Sequence, residues 1–358
     1  MKEAVVTKNV TVEIREVLVP KARPGQVLIR TIVSGTNPKD WKNPKVWGRD
    51  NEPRNQGDDI TGYVEAVGDG VLGFVPGDRV AAFHELGTPN GSFAEYSIAW
   101  AKSTFHIPAK VTFEGKTPLR AEAATIPLAA MTAALGVYQR LDLPVPWNPA
   151  KQSTPFIVYG GATAVGAFAI KLAKLSNVHP IVAVAGNGIQ FVESLLQPAK
   201  GDVVIDYRKG HDHVVERLRQ ATNGCAVHAF DAVSEKGSVN NIGKAIAPGG
   251  AIAIVLNEEM RGYAEDAGGA DLRFTLVGTV HLGTPASPEA EKAGAKYGDG
   301  EFGAVFYHYF GLGLAEGWFS GHPFEVVEGG LGGIESALKT LEAGKLSAKK
   351  LVVRIAPN

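Results

Sequence analysis

A glycine-rich stretch in the middle of the chain has the composition of a phosphate-binding turn. Residues 156–159 form a short apolar run, and the small-residue segment Gly160–Gly166 follows it directly. An apolar pattern with helical spacing i, i+3, i+4, i+7 then starts at Val165. A strand, a tight turn and a helix in this order can bind a pyrophosphate. Small residues there expose backbone N–H groups at the positive end of the helix dipole.

The turn departs from the usual G-x-G-x-x-G pattern. Gly161 and Gly166 fit its first and last glycines, whereas Thr163 occupies the middle position. A glycine-rich turn can also serve plain packing between a strand and a helix, so the stretch alone leaves both interpretations open. The cofactor interpretation predicts binding by Gly161, Ala162, Thr163, Ala164, Val165 and Gly166.

Two further sets of polar residues could bind a metal ion or transfer a proton. Asp58 and Asp59 follow Gly57 in a turn before a strand pattern, where they could act as a general acid/base pair or orient loops. His211 and His213 could pair on a metal, but their charged surroundings favour a solvated helix start. The single cysteine excludes an internal disulfide and any multi-cysteine metal site.

The composition is that of a globular protein without a strongly charged surface. The chain has 358 residues, of which 45% are hydrophobic and 20% charged, and its formal net charge is −1. This balance argues against nucleic acid or an anionic membrane as a partner. No apolar run reaches the roughly 18 residues of a membrane span. The N-terminus passes directly into a strand pattern, so we expect a cytoplasmic protein.

The periodicity predicts two kinds of structure that would position these residues. Residues 1–126 contain short strands and Gly/Pro turns, typical of a small barrel-like β domain. Residues 127–283 alternate apolar strands with helices, which predicts an α/β doubly wound parallel sheet whose sixth strand is Phe274–Val280. The glycine-rich turn lies at the first βα junction of that sheet, where such folds bind dinucleotides. The last strand, Leu351–Ile355, is expected to rejoin the N-terminal β block.

Short motifs in a fixed order carry a family resemblance. They are Asn37–Lys42 (Asn-Pro-x-Asp-x-Lys), Gly57–Gly62, Val67-Gly68, Pro76–Val80, Gly91–Tyr96, Ala123–Pro127, Gly160–Ala164 (Gly-Gly-small-Thr-Ala) and Lys345–Val353. With them the chain resembles the medium-chain dehydrogenase/reductases, in the zinc-independent branch of quinone oxidoreductases and enoyl reductases. The resemblance covers nearly the whole chain and is strongest with fungal trans-acting enoyl reductases of polyketide pathways.

This resemblance implies a GroES-like β-barrel catalytic domain (1–126 and 284–358) and a Rossmann cofactor-binding domain (127–283). Zinc-dependent relatives need a cysteine and a histidine for catalytic zinc. This chain has no cysteine before Cys225, and it has Asp58-Asp59 where those relatives carry His-Glu. Because carboxylates alone suit zinc poorly, we expect no metal site.

Hydride transfer to a conjugated alkene or a quinone needs no metal. It does need a donor for the charge that develops on the carbonyl oxygen, or a proton for the adjacent carbon. The resemblance implies that Lys42 lies beside the cofactor, that Thr132 opens the helix below the nicotinamide, and that Asp40 maintains the loop geometry. Lys42 could instead be a surface lysine, and Thr132 could bond to its own helix.

The residues at the strand ends favour NADPH over NADH. An NAD site usually places an acid after the second strand, and here that strand ends at Ala185 with no acid following it. Asn187 suits a 2′-phosphate, as does Tyr207 followed by Arg208, although Tyr207 could simply pack at a strand end. The residues after the fifth strand, expected to reach the nicotinamide ribose, are Leu256 and Asn257.

The sequence thus predicts an NADPH-dependent oxidoreductase that transfers hydride, without a metal, to a quinone or an α,β-unsaturated carbonyl or enoyl acceptor. The alternative is a non-catalytic relative that keeps NADPH binding as a scaffold or regulator. The expected partner is a small-molecule substrate. The resemblance further implies a homodimer, paired through the edge strand Phe274–Val280, because a long apolar edge is normally covered or paired.

Overall fold

The chain divides into two compact units. A computed structural model describes residues 1–47, 52–110, 121–282 and 298–355. The first unit consists of Met1–Leu128 and Glu301–Asn358, and the second of Ala129–Gly300. The sequence motifs placed the boundaries near 126 and 283, and residue 283 lies outside the described ranges.

Within the described residues, the first unit is a β structure with three α-helices. Its strands, numbered along the whole chain, are β1 (Lys2–Val6), β2 (Val12–Glu16), β3 (Gln26–Gly35), β4 (Asp59–Val67), β5 (Arg79–Phe83), β6 (Tyr96–Trp100), β7 (Thr104–His106), β14 (Phe324–Val327) and β15 (Lys350–Arg354). Seven of them form one sheet in the order β14-β15-β3-β4-β5-β7, with β6 also paired to β3, while β1 and β2 form a separate hairpin. The helices are α1 (Lys39–Lys45), α8 (Asp299–Glu316) and α9 (Ile334–Glu342).

Apolar residues at alternate positions of the strands form a hydrophobic core on one face of this sheet. Val27 and Ile29 of β3 pack with Ile60 and Val64 of β4, because side chains two apart on a strand point to the same face. The C-terminal strand β15 pairs antiparallel with β3, which confirms that it rejoins the N-terminal region.

The second unit is the predicted doubly wound sheet. Its strands are β8 (Phe156–Tyr159), β9 (Ile181–Ala185), β10 (Val203–Asp206), β11 (His228–Asp231), β12 (Ala251–Ile254) and β13 (Asp271–Phe274). They run parallel in the order β10-β9-β8-β11-β12-β13, so the strand order reverses beside β8. Dinucleotides bind at this switch point in doubly wound folds. The helices are α2 (Pro127–Ala134), which begins in the first unit, α3 (Ala164–Leu175), α4 (Ile189–Leu195), α5 (His211–Thr222), α6 (Ser238–Ala245) and α7 (Glu258–Arg261).

The predicted sixth strand, Phe274–Val280, is wrong in its bounds. The strand β13 ends at Phe274, and Val277–Val280 forms a 3-10 turn. The neighbouring strand β12 ends at Ile254, so Thr275 makes the last backbone bond to it, 2.8 Å from the Ile254 carbonyl. A short apolar run predicts burial but cannot show where the partner strand stops.

Candidate functional site

The glycine-rich turn has the backbone geometry that the sequence motif predicts. Gly160 adopts a positive φ of 80°, which favours glycine. The amides of Gly160 and Gly161 bond to the Val184 carbonyl at 3.0 and 2.9 Å, which ties the turn to β9. A side chain at Gly166 would place its Cβ 2.3 Å from the Gly160 carbonyl oxygen, so only glycine fits there.

Thr163 is the N-cap of α3. Its Oγ1 accepts a hydrogen bond of 3.0 Å from the Gly166 amide, as an N-cap side chain does. The amides of Ala164 and Val165, in the first turn of α3, have no acceptor within their own helix. These two amides and the Thr163 hydroxyl proton are therefore suited to bind a phosphate at the helix N-terminus.

A second polar group lies at the ends of β9 and β10. Arg208 Nη1 donates a hydrogen bond of 2.8 Å to Asn187 Oδ1. The Tyr207 ring packs against Gly186, where a Cβ would come within 2.6 Å of the ring. The structure thus places Arg208 against Asn187, and the Tyr207 ring against the preceding Gly186.

Arg208 also forms a bidentate pair with the carboxylate that ends β10. Its Nε and Nη2 lie 2.8 and 2.7 Å from the two Asp206 oxygens. Hydrogen bonding to Arg208 lowers the pKa of Asp206 to about 2. The carboxylate therefore stays ionised, orients the guanidinium and is neutralised by it. Asp206 was not among the residues predicted from the sequence, although its position next to Tyr207 and Arg208 was a usable signal.

The two predicted residues after β12 have different structural environments. Leu256 is 9% exposed, so it lies at the edge of the core. Asn257 caps α7, since its Oδ1 accepts a hydrogen bond of 2.9 Å from the Met260 amide. Because the cap uses Oδ1, the side-chain nitrogen Nδ2 of Asn257 is the group that can donate to a ligand.

The predicted catalytic residues are distributed over two helices. Asp40 and Lys42 lie on α1, and Thr132 lies on α2, in the second unit. The Lys42 Nζ is 5.8 Å from the centre of the Trp41 ring, within range of a cation–π contact. Asp40 is fully buried and accepts a hydrogen bond of 2.7 Å from the Asn37 amide, which supports its predicted role in loop geometry. Thr132 is 6% exposed.

Asp40 and Asp58 share one lysine, Lys39, which was not among the predicted site residues. Lys39 Nζ lies 2.9 Å from Asp40 Oδ1 and forms a shorter ion pair with Asp58. Burial is the main influence on both carboxyls: it raises the pKa of Asp40 to about 7, and it raises that of Asp58 as well. Burial alone would lower the Lys39 pKa, but the two carboxylates outweigh it and raise that pKa.

Asp59 is the centre of an adjoining network. Its Oδ2 accepts hydrogen bonds of 2.5 Å from Lys350 Nζ and 2.8 Å from Asn37 Nδ2. Its Oδ1 accepts one of 2.7 Å from the Leu128 amide, in the first turn of α2. Asp58 and Asp59 are therefore each committed to a lysine, and the geometry favours the loop-orienting interpretation over an acid/base pair.

Comparison with known proteins agrees with this architecture. Residues 23–109 match the model of the alcohol dehydrogenase GroES-like domain. The chain is 42% identical over 333 residues to the trans-enoyl reductase fsr4 of Gibberella fujikuroi, covering 92% of this chain and 91% of that protein. It is 31% identical to the trans-enoyl reductase resD of Aspergillus sclerotiorum, covering 94% of each.

Solved structures share the fold over the whole chain. An alcohol dehydrogenase superfamily protein from Novosphingobium aromaticivorans has a TM-score of 0.78 at 20% identity, covering 99% of this chain and 100% of that one. The quinone oxidoreductase from Coxiella burnetii has a TM-score of 0.71 at 20% identity, covering 99% of each.

The fold, with its glycine-rich turn at the first βα junction, defines a two-domain oxidoreductase whose architecture implies a nicotinamide cofactor. The chain belongs to the medium-chain dehydrogenase/reductase superfamily, in the branch of enoyl and quinone reductases. The expected GroES-like and Rossmann folds are thereby confirmed.

The superfamily includes zinc enzymes, but the acidic pair of this chain does not fit a zinc ion. The Lys39 ammonium already lies among the oxygens of Asp40 and Asp58, and the Lys350 ammonium lies against Asp59. Within the described ranges, no group of three or more His, Cys, Asp or Glu residues is arranged to hold a metal. In the same ranges, no helix combines the length and apolarity needed to cross a membrane.

Proposed function

We propose that the chain catalyses the NADPH-dependent reduction of the conjugated double bond of an enoyl thioester or a related α,β-unsaturated carbonyl compound, without a metal ion. The observation that carries the proposal is the 42% identity to a trans-enoyl reductase along 92% of the chain. Because nearly the whole chain is covered, the similarity includes both the GroES-like unit and the nucleotide-binding unit.

The polar group at the ends of β9 and β10 supports NADPH as the cofactor. Arg208 is half exposed and keeps Nη hydrogens that neither Asp206 nor Asn187 uses, so it can donate to a 2′-phosphate. Asp206 would repel that phosphate if it stood alone, but its charge is neutralised by Arg208. In this proposal the pyrophosphate is held by Gly161, Ala162, Thr163, Ala164, Val165 and Gly166, the adenosine phosphate by Asn187, Tyr207 and Arg208, and the nicotinamide ribose by Leu256 and Asn257.

The proposed chemistry divides between cofactor and side chains. When bound, the nicotinamide would supply a hydride for the β-carbon of the acceptor, and the proton for the adjacent carbon would come from solvent water. Lys42 is the proposed donor to the carbonyl oxygen, since an ammonium stabilises charge that develops there. Thr132 is the proposed second donor, and Asp40 holds the first turn of α1, which carries Lys42.

The decisive experiment measures NADPH oxidation with a panel of enoyl thioesters, enones and quinones. We expect turnover to be fastest with an enoyl thioester, with the saturated thioester as product by mass spectrometry. Quinone turnover without enoyl reduction would assign the chain to the quinone reductase activity instead. Tight NADPH binding with no oxidation by any acceptor would support the scaffold alternative.

Metal independence needs its own measurement. Elemental analysis of the purified protein should find far less than one zinc per chain. Turnover should be unchanged after dialysis against a chelator, because no proposed step uses a metal. Activity that disappears with the chelator and returns with zinc would contradict the metal-free mechanism.

A further inference from the structure

The Lys39 ammonium sits inside a set of oxygens that converge on one point. Its Nζ donates a hydrogen bond of 2.5 Å to the Gln56 carbonyl, lies 2.9 Å from Asp40 Oδ1, and forms a short ion pair with Asp58 Oδ2. The ammonium thus donates its hydrogen bond to the Gln56 carbonyl, and the two carboxylate oxygens contact it as ion-pair partners. The Asp40 and Asp58 side chains are 0% and 4% exposed, and that of Lys39 is 17% exposed.

These oxygens form the donor set of a hard cation. Two carboxylates and a backbone carbonyl are ligands that Mg²⁺, Mn²⁺ and Ca²⁺ prefer, whereas zinc sites favour sulfur and nitrogen. The oxygens come from two segments: the first turn of α1, and the residues just before β4. A cation at this point therefore connects two segments that are separated along the chain.

The charge balance of the buried cluster favours a cation at this point. The carboxylates of Asp40, Asp58 and Asp59 carry three negative charges when ionised, and Lys39 and Lys350 carry two positive charges. With all three carboxyls ionised, the cluster carries a net charge of −1 when both lysines are present and would carry −2 without Lys39. Buried uncompensated charge is costly, and burial already raises the pKa of Asp40 and Asp58.

We propose that Lys39 is a tethered cation that closes a divalent-cation site formed by Asp40, Asp58 and the Gln56 carbonyl, and thereby fixes the first turn of α1 without a metal ion. Helix α1 has seven residues, contains Pro44, and has no side-chain hydrogen bond at its N-cap. So short a helix is not stable alone, and its position depends on such tertiary bonds. The proposal concerns cation binding and does not depend on the acceptor that the enzyme reduces.

The test is Mn²⁺ binding to the full-length chain, measured by calorimetry and by the electron paramagnetic resonance of unbound Mn²⁺. Lys39→Ala should bind one Mn²⁺ about ten-fold or more tightly than wild type, because removal of the ammonium opens the site. The matched control is Lys45→Ala, which removes an exposed lysine of the same helix paired with Glu342. It should bind Mn²⁺ no better than wild type.

A double variant tests whether the new site uses the oxygens named above. Adding Asp58→Asn to Lys39→Ala should abolish the gained Mn²⁺ affinity. A folded Lys39→Ala protein that binds Mn²⁺ no better than wild type would overturn the proposal. Wild-type binding that is equally tight and is lost with Asp58→Asn would also overturn it, because the site would then be open despite Lys39.

Lys39→Ala could fail to fold, so a measurement on the wild-type chain accompanies it. Acetylation of the native protein, read by peptide mass spectrometry, should modify Lys39 at least ten-fold more slowly than exposed Lys45, and equally fast after denaturation. Equal labelling of Lys39 and Lys45 in the native protein would overturn the proposal. Recovery of soluble Lys39→Ala protein only when Mn²⁺ is present during refolding would support it.

Discussion

Lys350 and Asp59, 291 positions apart in the chain, form a buried ion pair with 2.5 Å between Nζ and Oδ2. Lys350 begins β15 and Asp59 begins β4, and both flank β3 in the central sheet. The same carboxylate accepts a hydrogen bond from the Leu128 amide, in the first turn of α2. The Asp59 side chain thus connects β15 and the start of α2 to β4.

Removing one partner of this pair should destabilise the first unit strongly. Lys350→Met leaves the Asp59 charge buried and uncompensated, which costs about 3–5 kcal/mol. Urea denaturation followed by circular dichroism measures the loss. The control is Lys349→Met, which removes the exposed partner of Glu325 and should cost less than about 1 kcal/mol. Equal, small losses for both variants would show that the Lys350–Asp59 pair contributes little.

Arg208→Ala should reduce the preference for NADPH. The guanidinium is the proposed partner of the 2′-phosphate, and a hydrogen bond to a charged group is worth about 1.5–3 kcal/mol, or roughly ten-fold and more in affinity. Fluorescence titration should show this rise in the NADPH dissociation constant, with NADH binding changed less than about two-fold. Arg217→Ala, on the exposed face of α5, is the control and should change neither. Equal losses for both nucleotides would refute the phosphate role.

Tyr207→Ala tests the neighbouring residue by the same titration. Its ring packs on Gly186 and is 49% exposed, so it can contact a bound nucleotide without being part of the core. We expect weaker NADPH binding with little effect on NADH and an unchanged melting temperature. A lower melting temperature with unaltered nucleotide preference would show that Tyr207 only packs at the strand end.

Lys42→Ala should lower turnover rather than nucleotide binding. Loss of one positioned donor to a developing oxyanion typically reduces kcat by about 10²–10³-fold. Stopped-flow oxidation of bound NADPH by the best acceptor separates this step from binding. Lys45→Ala, one turn further along α1 and exposed, provides the comparison. If the two variants turn over at the wild-type rate, Lys42 is a surface lysine.

The raised pKa of Asp40 predicts a pH dependence of stability. An acid whose pKa rises from 3.8 to about 7 on folding stabilises the folded chain at low pH, and this contribution is lost as pH rises through about 7. As the pH rises from 5 to 8, the free energy of unfolding of Asp40→Asn should therefore increase relative to that of wild type, by on the order of 2 kcal/mol. Burial also raises the pKa of Asp231, to about 6, so Asp231 gives both proteins a pH dependence of stability in the same direction. The difference between variant and wild type removes this shared contribution.

Urea denaturation at several pH values measures this difference. Asp271→Asn, which alters an exposed carboxylate on β13, should follow the wild-type pH profile. A constant difference between Asp40→Asn and wild type across this range would mean that Asp40 ionises normally in the folded chain.

Much of the proposed nucleotide site could be predicted from neighbouring residues. The run of β8, the glycines at 160, 161 and 166, and the apolar stripe of α3 are adjacent in the chain, so local pattern sufficed. Thr163 departs from the glycine pattern because it caps α3. The predicted strand Phe274–Val280 failed because its end depends on where β12 stops, which is set by a different segment.

The sequence by itself determined the alternation of strands and helices, the turn, and the lack of cysteine ligands for zinc in the first unit, since these follow from residue types and short-range spacing. Only the tertiary structure decided which charges meet. In the folded chain Lys39 pairs with Asp58 and donates to the Gln56 carbonyl. Lys350 pairs with Asp59, and Arg208 donates a hydrogen bond to Asn187. The reason is physical: a buried charge is stable only beside a partner, and strands distant in the chain bring that partner into contact.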